Sequence, residues 1–251
     1  MASPRRRTLG AKVCQWIEAY CVIPDGPLIG QPFAIPDFWR RAIYEWYELV
    51  PDGTGWRRRY SQGLIGIPKK NIKTSISAAM ALYELAGSED PAALILSAAA
   101  SEKQGANLLY GSAKTMVELS PALQGALVAY EKEILVPSQP RARMLNIASR
   151  VGPNDGLNAR AIYLDEVHEW KGDNGRSLYT VLAGALTSRP DATLLAITTA
   201  GHDEDSICFE KYTYGRHVEA GEIDDPRFYF RWVAAPDGCD HTDRKFWVIA
   251  N

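Results

Sequence analysis

At 251 residues the chain is long enough for one large or two small domains and for a substantial core. Hydrophobic residues at 46% and charged residues at 23% are ordinary globular values, and a net charge of −2 excludes a global attraction to polyanions, so any nucleic-acid contact has to be local. Cys14, Cys21, Cys208 and Cys239 include no C-x-x-C pair, which argues against a zinc ribbon or a disulfide framework and for reduced core thiols. No apolar run approaches membrane-spanning length, and Arg5, Arg6 and Arg7 have no apolar signal segment behind them. We expect one cytosolic domain over residues 1–251.

The first predicted element is a helix over residues 10–20, with Val13, Ile17 and Tyr20 at helical spacing. A Pro- and Gly-rich segment from Pro24 to Pro36 follows, read as a lid or brace beside a nucleotide pocket. A second helix from Pro36 to Leu49 carries Phe38, Trp39, Tyr44, Trp46 and Tyr47, aromatic side chains expected mainly in the core. The basic and aromatic run Trp56-Arg57-Arg58-Arg59-Tyr60 reads as the solvated start of a strand, with phosphate contact as its alternative.

From Gln62 onward strands and helices alternate. The spacing predicts a strand at 63–67, a helix from Lys73 to Leu85, a strand at Leu94–Leu96, and a helix from Ser101 to Leu119 with Ser101 and Gln104 as a capping box. An antiparallel hairpin then pairs Ile134–Val136 with Met144–Ile147. After it come the strand Ala161–Leu164, a helix from Asn174 to Leu186, the strand Leu194–Ile197, a helix from Asp205 to Glu219 and a strand from Phe228 to Val233. Alternation of this kind implies an α/β fold with a parallel sheet and helices on its faces.

Three strand ends carry chemistry. In Ile65-Gly66-Ile67-Pro68-Lys69-Lys70-Asn71-Ile72-Lys73-Thr74-Ser75 a short strand runs into a lysine and hydroxyls that open a helix. A helix N-terminus presents unpaired N–H groups and a partial positive charge, Lys73 can reach the β- and γ-phosphates, and the Thr74 hydroxyl can ligate Mg²⁺. The standard pattern has glycines where Ile67 and Ile72 stand, so the loop alone also fits a solvated lysine-rich turn. A β-branched residue does not readily take positive φ, so Ile72 is expected to avoid that region and to face away from the phosphates.

The second end is Ala161-Ile162-Tyr163-Leu164-Asp165-Glu166, an apolar strand closing on two acids about 90 residues after the loop, an order and spacing that fit a nucleotide site. Asp165 can hold Mg²⁺ through its water shell, and Glu166 can act as the base toward the attacking water; an acid pair in solvent is the alternative. The third is Leu194-Leu195-Ala196-Ile197-Thr198-Thr199-Ala200-Gly201, whose Thr198 and Thr199 hydroxyls are placed to sense the γ-phosphate if all three ends converge.

Pro68-Lys69-Lys70-Asn71-Ile72-Lys73-Thr74, Leu164-Asp165-Glu166-Val167-His168-Glu169-Trp170 and Ile197-Thr198-Thr199-Ala200-Gly201 together resemble the ATPase domain of the large terminase subunit of tailed bacteriophages, in the HK97-like branch. The likeness extends to Gly30-Gln31-Pro32-Phe33 and to Phe246-Trp247-Val248-Ile249-Ala250-Asn251. In that family the loop commonly lacks the first glycine, Lys69 stands where arginine is frequent, and Trp39 stands where a glutamine often reads adenine. The resemblance implies a P-loop NTPase of the additional-strand (ASCE) type, with a mostly parallel central sheet flanked by helices. It implies a phosphate-binding segment from Pro68 to Ser75, catalytic roles for Lys73, Glu166, Thr198 and Thr199, and Mg²⁺ at Thr74 and Asp165. It further implies a motor in the cytoplasm of an infected bacterium, using ATP to move double-stranded DNA into a procapsid. Its partners would be the portal protein, the small terminase subunit and further copies of itself in a ring, with no membrane. The C-terminal nuclease domain of the family would lie beyond Asn251.

Competing readings are a nucleic-acid helicase, from the D-E-x-H letters of Asp165-Glu166-Val167-His168, and a non-hydrolysing docking module in which Ile72 has spoiled the loop. A zinc site from Glu166, His168, Glu169 and His202 lacks the H-E-x-x-H spacing. No arginine is fixed near the γ-phosphate by motif spacing; Arg150, Arg160 and Arg189 are the candidates for a finger supplied by a neighbouring subunit.

Overall fold

The computed structural model describes residues 7–99, 108–147, 158–201, 203–236, 238–240 and 242–243. Helices α1 (Gly10–Tyr20) and α2 (Asp37–Trp46) lead into a small hairpin, β1 (Leu49–Asp52) and β2 (Gly55–Arg58). Then follow β3 (Gln62–Gly66), α3 (Lys73–Leu82), β4 (Leu94–Ala98), α4 (Leu109–Leu119), α5 (Pro121–Gln124), β5 (Val128–Ala129), β6 (Glu133–Leu135), β7 (Arg143–Ile147), β8 (Ala161–Asp165), α6 (Gly172–Gly184), β9 (Thr193–Thr198), α7 (Ile207–Glu219) and β10 (Phe228–Trp232).

The main sheet has the order β10-β3-β9-β8-β4-β7-β6-β5. Strands β10 through β7 run parallel, and β6 and β5 pair antiparallel, as the hairpin reading expects. Strand β9 lies between β3 and β8, which is the additional strand of the ASCE arrangement. Alternate residues of each central strand enter opposite cores. Ile65, Ile95, Tyr163, Leu195 and Ile197 pack with Ile17, Trp39, Ile43, Ile76 and Met80. Leu64, Leu96, Ile162, Leu164, Leu194 and Ala196 pack with Leu178, Leu182 and Ile207. Both faces are covered by helices, so these strands read as continuous apolar runs rather than alternating ones.

Several boundaries differ from the sequence reading. The second helix stops at Trp46 because the chain turns at Tyr47, which is fully buried, and starts β1 at Leu49. Helix α3 ends at Leu82 and continues as one π-helical turn, Tyr83–Gly87, that aims Glu84 inward. Tyr20 is exposed, and Cys14 fills the core beside Val13 and Ile17 instead. The Ser101–Gln104 capping box lies outside the described residues.

Arg58 is not a solvated strand start. It is buried, 3.1 Å from Glu84 Oε1, and its guanidinium lies 3.9 Å from the centroid of the Tyr47 ring. Arg160 at the head of β8 reaches the other Glu84 oxygen at 2.9 Å, and also Asp191 at 3.1 Å and Asp90 at 3.4 Å. Arg189 joins Asp90 at 2.7 Å and Asp191 at 3.2 Å. A buried carboxylate is tolerated only when paired and hydrogen-bonded, and this network supplies the partners for Glu84. It lies at the N-terminal end of β8, the edge opposite Asp165.

Candidate functional site

The loop between β3 and α3 is fastened at both ends. Ile67 N–H donates to the Thr198 carbonyl at 3.0 Å, and the buried Trp39 indole N–H donates to the Asn71 carbonyl at 2.8 Å. The Asn71 amide donates to the Pro68 carbonyl at 3.2 Å. Trp39 is buried in the core, as the aromatic helix predicts, and its indole also supports the loop backbone, a role the sequence does not announce. Gly66 is required by packing, because a Cβ there would fall 2.0 Å from the Trp232 ring of β10.

Lys69, Lys70 and Ile72 are exposed, Pro68, Asn71 and Thr74 are half-buried, and Lys73 and Ser75 are buried. Ile72 does adopt the left-handed region, with φ 47° and ψ 22°, contrary to the expectation from β-branching. Ile72 is the residue before the first turn of α3, and the tethers from Trp39 to Asn71 and from Ile67 to Thr198 hold the loop around it in place. The side chain is 40% exposed, so the strain is in the backbone alone. The left-handed region costs an L-residue roughly 1–2 kcal/mol.

Strand β8 ends in Asp165, which is buried, and Glu166, which also takes a left-handed conformation at φ 50°. Among the described residues, four non-glycine positions have positive φ, and Lys70, Ile72 and Glu166 are three of them. Strain gathered in this way marks sites whose geometry is held by their surroundings. The turn at Glu166 sends its carboxylate back toward the loop. Lys73 Nζ lies 2.9 Å from Glu166 Oε1, and Thr74 Oγ1 donates to Asp165 Oδ2 at 3.1 Å.

Burial first, and then the Glu166 charge, push the Asp165 carboxyl up to about 6. Burial acts upward on Glu166 as well, but contacts from His168 and Lys73 outweigh it and hold that carboxyl down at about 2. Two adjacent acids are thus driven apart by their surroundings. Thr198 and Thr199 are buried at the end of β9, and the His168 ring sits between them and Glu166.

The three strand ends singled out in the sequence therefore meet at the C-terminal edge of one parallel sheet, the place where open α/β sheets bind ligands. The Thr74 hydroxyl and the Asp165 carboxylate are both hard oxygen donors, and the second is desolvated and lacks a cationic partner of its own among the contacts above. That donor set fits Mg²⁺. Among the described residues no cluster of three His, Cys, Asp or Glu side chains has metal-holding geometry. Sequence reading missed the supporting groups: Trp39 under the loop, His168 beside Glu166, and Trp170, whose indole N–H donates to the Asp165 carbonyl at 3.3 Å. Of these only His168 carried a local signal, in the D-E-x-H letters. Arg150 and His202 lie outside the described residues.

A parallel sheet with an added strand between loop strand and acid strand, and a lysine, a hydroxyl and two acids at one edge, defines the class as a P-loop NTPase. The family model for the terminase large subunit ATPase domain matches residues 42–217, and the chain belongs to that family. The terminase large subunit of Enterobacteria phage HK97 is 26% identical over 249 residues, 97% of this chain and 46% of that protein. The crystal structure of the HK97 large terminase matches with a TM-score of 0.78 at 23% identity, covering 98% of this chain and 48% of the other. The large terminase ATPase domain of Thermus phage P74-26 shares the fold at 12% identity, with a TM-score of 0.51 over 76% of this chain and 80% of that one. The chain spans about half the length of the curated relative it matches. Membership of this family displaces the helicase reading. Among the described residues no helix is long and apolar enough to cross a membrane.

Proposed function

We propose that this chain is the Mg²⁺-dependent ATPase domain of a large terminase subunit, converting ATP hydrolysis into movement of double-stranded DNA into a procapsid. The observation that carries it is the meeting of Lys73, Thr74, Asp165 and Glu166 at one sheet edge in a member of the terminase ATPase family. The backbone N–H groups at the start of α3 and the Lys73 ammonium receive the phosphates. Glu166 takes the proton of the attacking water, and Thr198 and Thr199, at the end of β9, sense whether the γ-phosphate is present. Thr74 and Asp165 would hold Mg²⁺, which would supply charge neutralisation at the phosphates.

The Lys73–Glu166 contact supports an order of events. In the nucleotide-free chain Lys73 neutralises the base; phosphates compete for the ammonium, and a Glu166 released from it regains basicity. The portal protein, the small terminase subunit and further copies in a ring are the proposed partners, and residues 1–251 the proposed ATPase domain of the longer subunit. The test is Mg²⁺-dependent release of phosphate from ATP, with and without double-stranded DNA and procapsids. Absence of turnover in every combination would leave only the docking-module reading.

A further inference from the structure

Glu166 turns the chain out of β8 into a single 3-10 turn, Val167–Glu169, and that turn lays His168 across the end of β9. The His168 backbone N–H donates to Thr198 Oγ1 at 3.2 Å, and its Cβ packs against Gly201, where an added Cβ would approach it to 3.0 Å. Thr198 uses its own hydroxyl proton on the Thr199 carbonyl, at 2.9 Å. A carbonyl cannot donate, so the 3.1 Å contact between Thr198 Oγ1 and His168 Nδ1 requires Nδ1 to carry the hydrogen. The same Nδ1 lies 3.0 Å from Glu166 Oε2, while Nε2 faces Glu169 Oε1 at 3.1 Å. The ring is thus enclosed between two carboxylates, hydrogen-bonded through Nδ1 to Thr198, and only 15% exposed at the side chain.

Glu166 has two neighbours, the Lys73 ammonium 2.9 Å from Oε1 and the His168 ring 3.0 Å from Oε2, an oxygen that is buried and has no hydrogen-bond partner in the nucleotide-free chain among the described residues. When phosphates draw Lys73 away, one remains. We propose that His168 is the positioning residue of the reaction: it aims the Glu166 carboxylate at the attacking water and ties that aim to Thr198 and Thr199. This rests on Glu166 serving as the base. A carboxylate backed by one rigid ring keeps its geometry through the exchange of Lys73, and a carboxylate without that ring swings with its own two methylenes. Misplacement by about 1 Å is enough to lower a rate on the order of 10²-fold.

The experiment compares ATP turnover and nucleotide affinity of wild type, His168→Ala, His168→Asn, His168→Gln and Glu166→Gln at the protein concentration where wild-type turnover is maximal. The Asn amide nitrogen reaches roughly the place of Nδ1, whereas that of Gln reaches roughly the place of Nε2. The expected result is a kcat about 10–100-fold lower in His168→Ala with KM within a factor of a few, most of the loss restored by Asn and little by Gln. Equal activities for the Asn and Gln variants, or a His168→Ala kcat near wild type beside an inactive Glu166→Gln, overturn the proposal. If His168→Ala melts early, the Asn-to-Gln contrast at matched thermal stability decides alone. Full activity of Glu166→Gln overturns the base assignment itself, a separate outcome from failure of His168.

Discussion

Lys73 Nζ and Glu166 Oε1 stand 2.9 Å apart across the mouth of the loop, so the proposed phosphate-binding cation and the proposed base neutralise each other. Both side chains are largely shielded, at 10% and 20% exposure, which makes the pair stronger than an ion pair on the surface. On the proposed function, nucleotide has to displace Glu166 to reach Lys73.

Glu166→Gln should accordingly separate two effects. The amide cannot act as a base, and turnover should fall about 10²–10⁴-fold. The same change removes the competitor for Lys73, so ATP affinity should stay equal or tighten, measured with a fluorescent ATP analogue. Lys73→Ala should weaken binding itself, because its charge meets the phosphates in the ground state. Unchanged affinity and rate in Lys73→Ala would remove the loop from the site.

Asp165 should make the nucleotide-free chain more stable in mild acid than at neutral pH. Its carboxyl, ordinarily near 3.8, is raised to about 6 by burial and then by the Glu166 charge. Between those values the folded chain holds a proton that the unfolded chain has released. The stability this contributes is therefore complete below about pH 4 and lost as the pH rises through about 6. Glu166 runs the other way: held at about 2 against an ordinary 4.5, it stabilises above pH 4.5 and loses that contribution as the pH falls toward 2. Asp165→Asn removes only the first effect. At pH 7.5 without divalent cations it should gain on the order of 2 kcal/mol, a rise of several degrees in Tm, and the gain should vanish near pH 4. Mg²⁺ should raise the Tm of wild type and leave Asp165→Asn unmoved. Equal melting temperatures for the two chains at both pH values would show that Asp165 is not destabilised by its burial.

The alternation of strands and helices was legible because buried parallel strands such as Leu194–Ile197 are continuous apolar runs that end abruptly in polar residues. The same abrupt ends, at Lys73, Asp165 and Thr198, made the site legible before any geometry. What could not be read was whatever depends on partners distant in sequence. Arg58, Glu84 and Arg160 form one network across 26 and 76 residues of separation, and no local pattern marks a buried arginine among three consecutive ones. Nor does a strand state its neighbour: β10 lies beside β3 with Trp232 opposite Gly66, a register that leaves no room for a side chain at that glycine. The left-handed Ile72 was misjudged because local preference was weighed without the two tethers that override it.

Ile72→Gly should leave nucleotide affinity equal to or better than wild type and should not lower thermal stability. Relief of the left-handed strain is worth roughly 1–2 kcal/mol, against roughly 0.5–1 kcal/mol for the added freedom of glycine in the unfolded chain. Ile72→Ala is the control, since alanine keeps the Cβ that makes φ of 47° unfavourable. A loss of binding in the glycine variant alone would mean that the strained turn itself presents the N–H groups to phosphate.

The site as described contains Lys73 but no arginine among the contacts of Glu166 or Asp165, and two of the three sequence candidates are committed elsewhere. Arg160 and Arg189 are held by Glu84, Asp90 and Asp191 at the opposite edge of the sheet. Removing Arg160 strands the buried Glu84 with fewer partners, and loss of one member of a buried ion pair costs about 3–5 kcal/mol. Arg160→Ala should therefore lower the Tm sharply, while the molecules that remain folded keep their turnover. Arg150, outside the described residues, then stands as the candidate that a neighbouring subunit would supply. Such a finger is worth roughly 10³–10⁵ in rate, so specific ATPase activity should be low in dilute solution and rise with protein concentration or on addition of procapsids. Mixing Arg150→Ala into wild type should depress activity more than dilution with buffer does, because each variant subunit silences its neighbour's site. A rate per subunit that is independent of concentration, together with simple dilution behaviour in the mixture, would place the missing charge within the same chain.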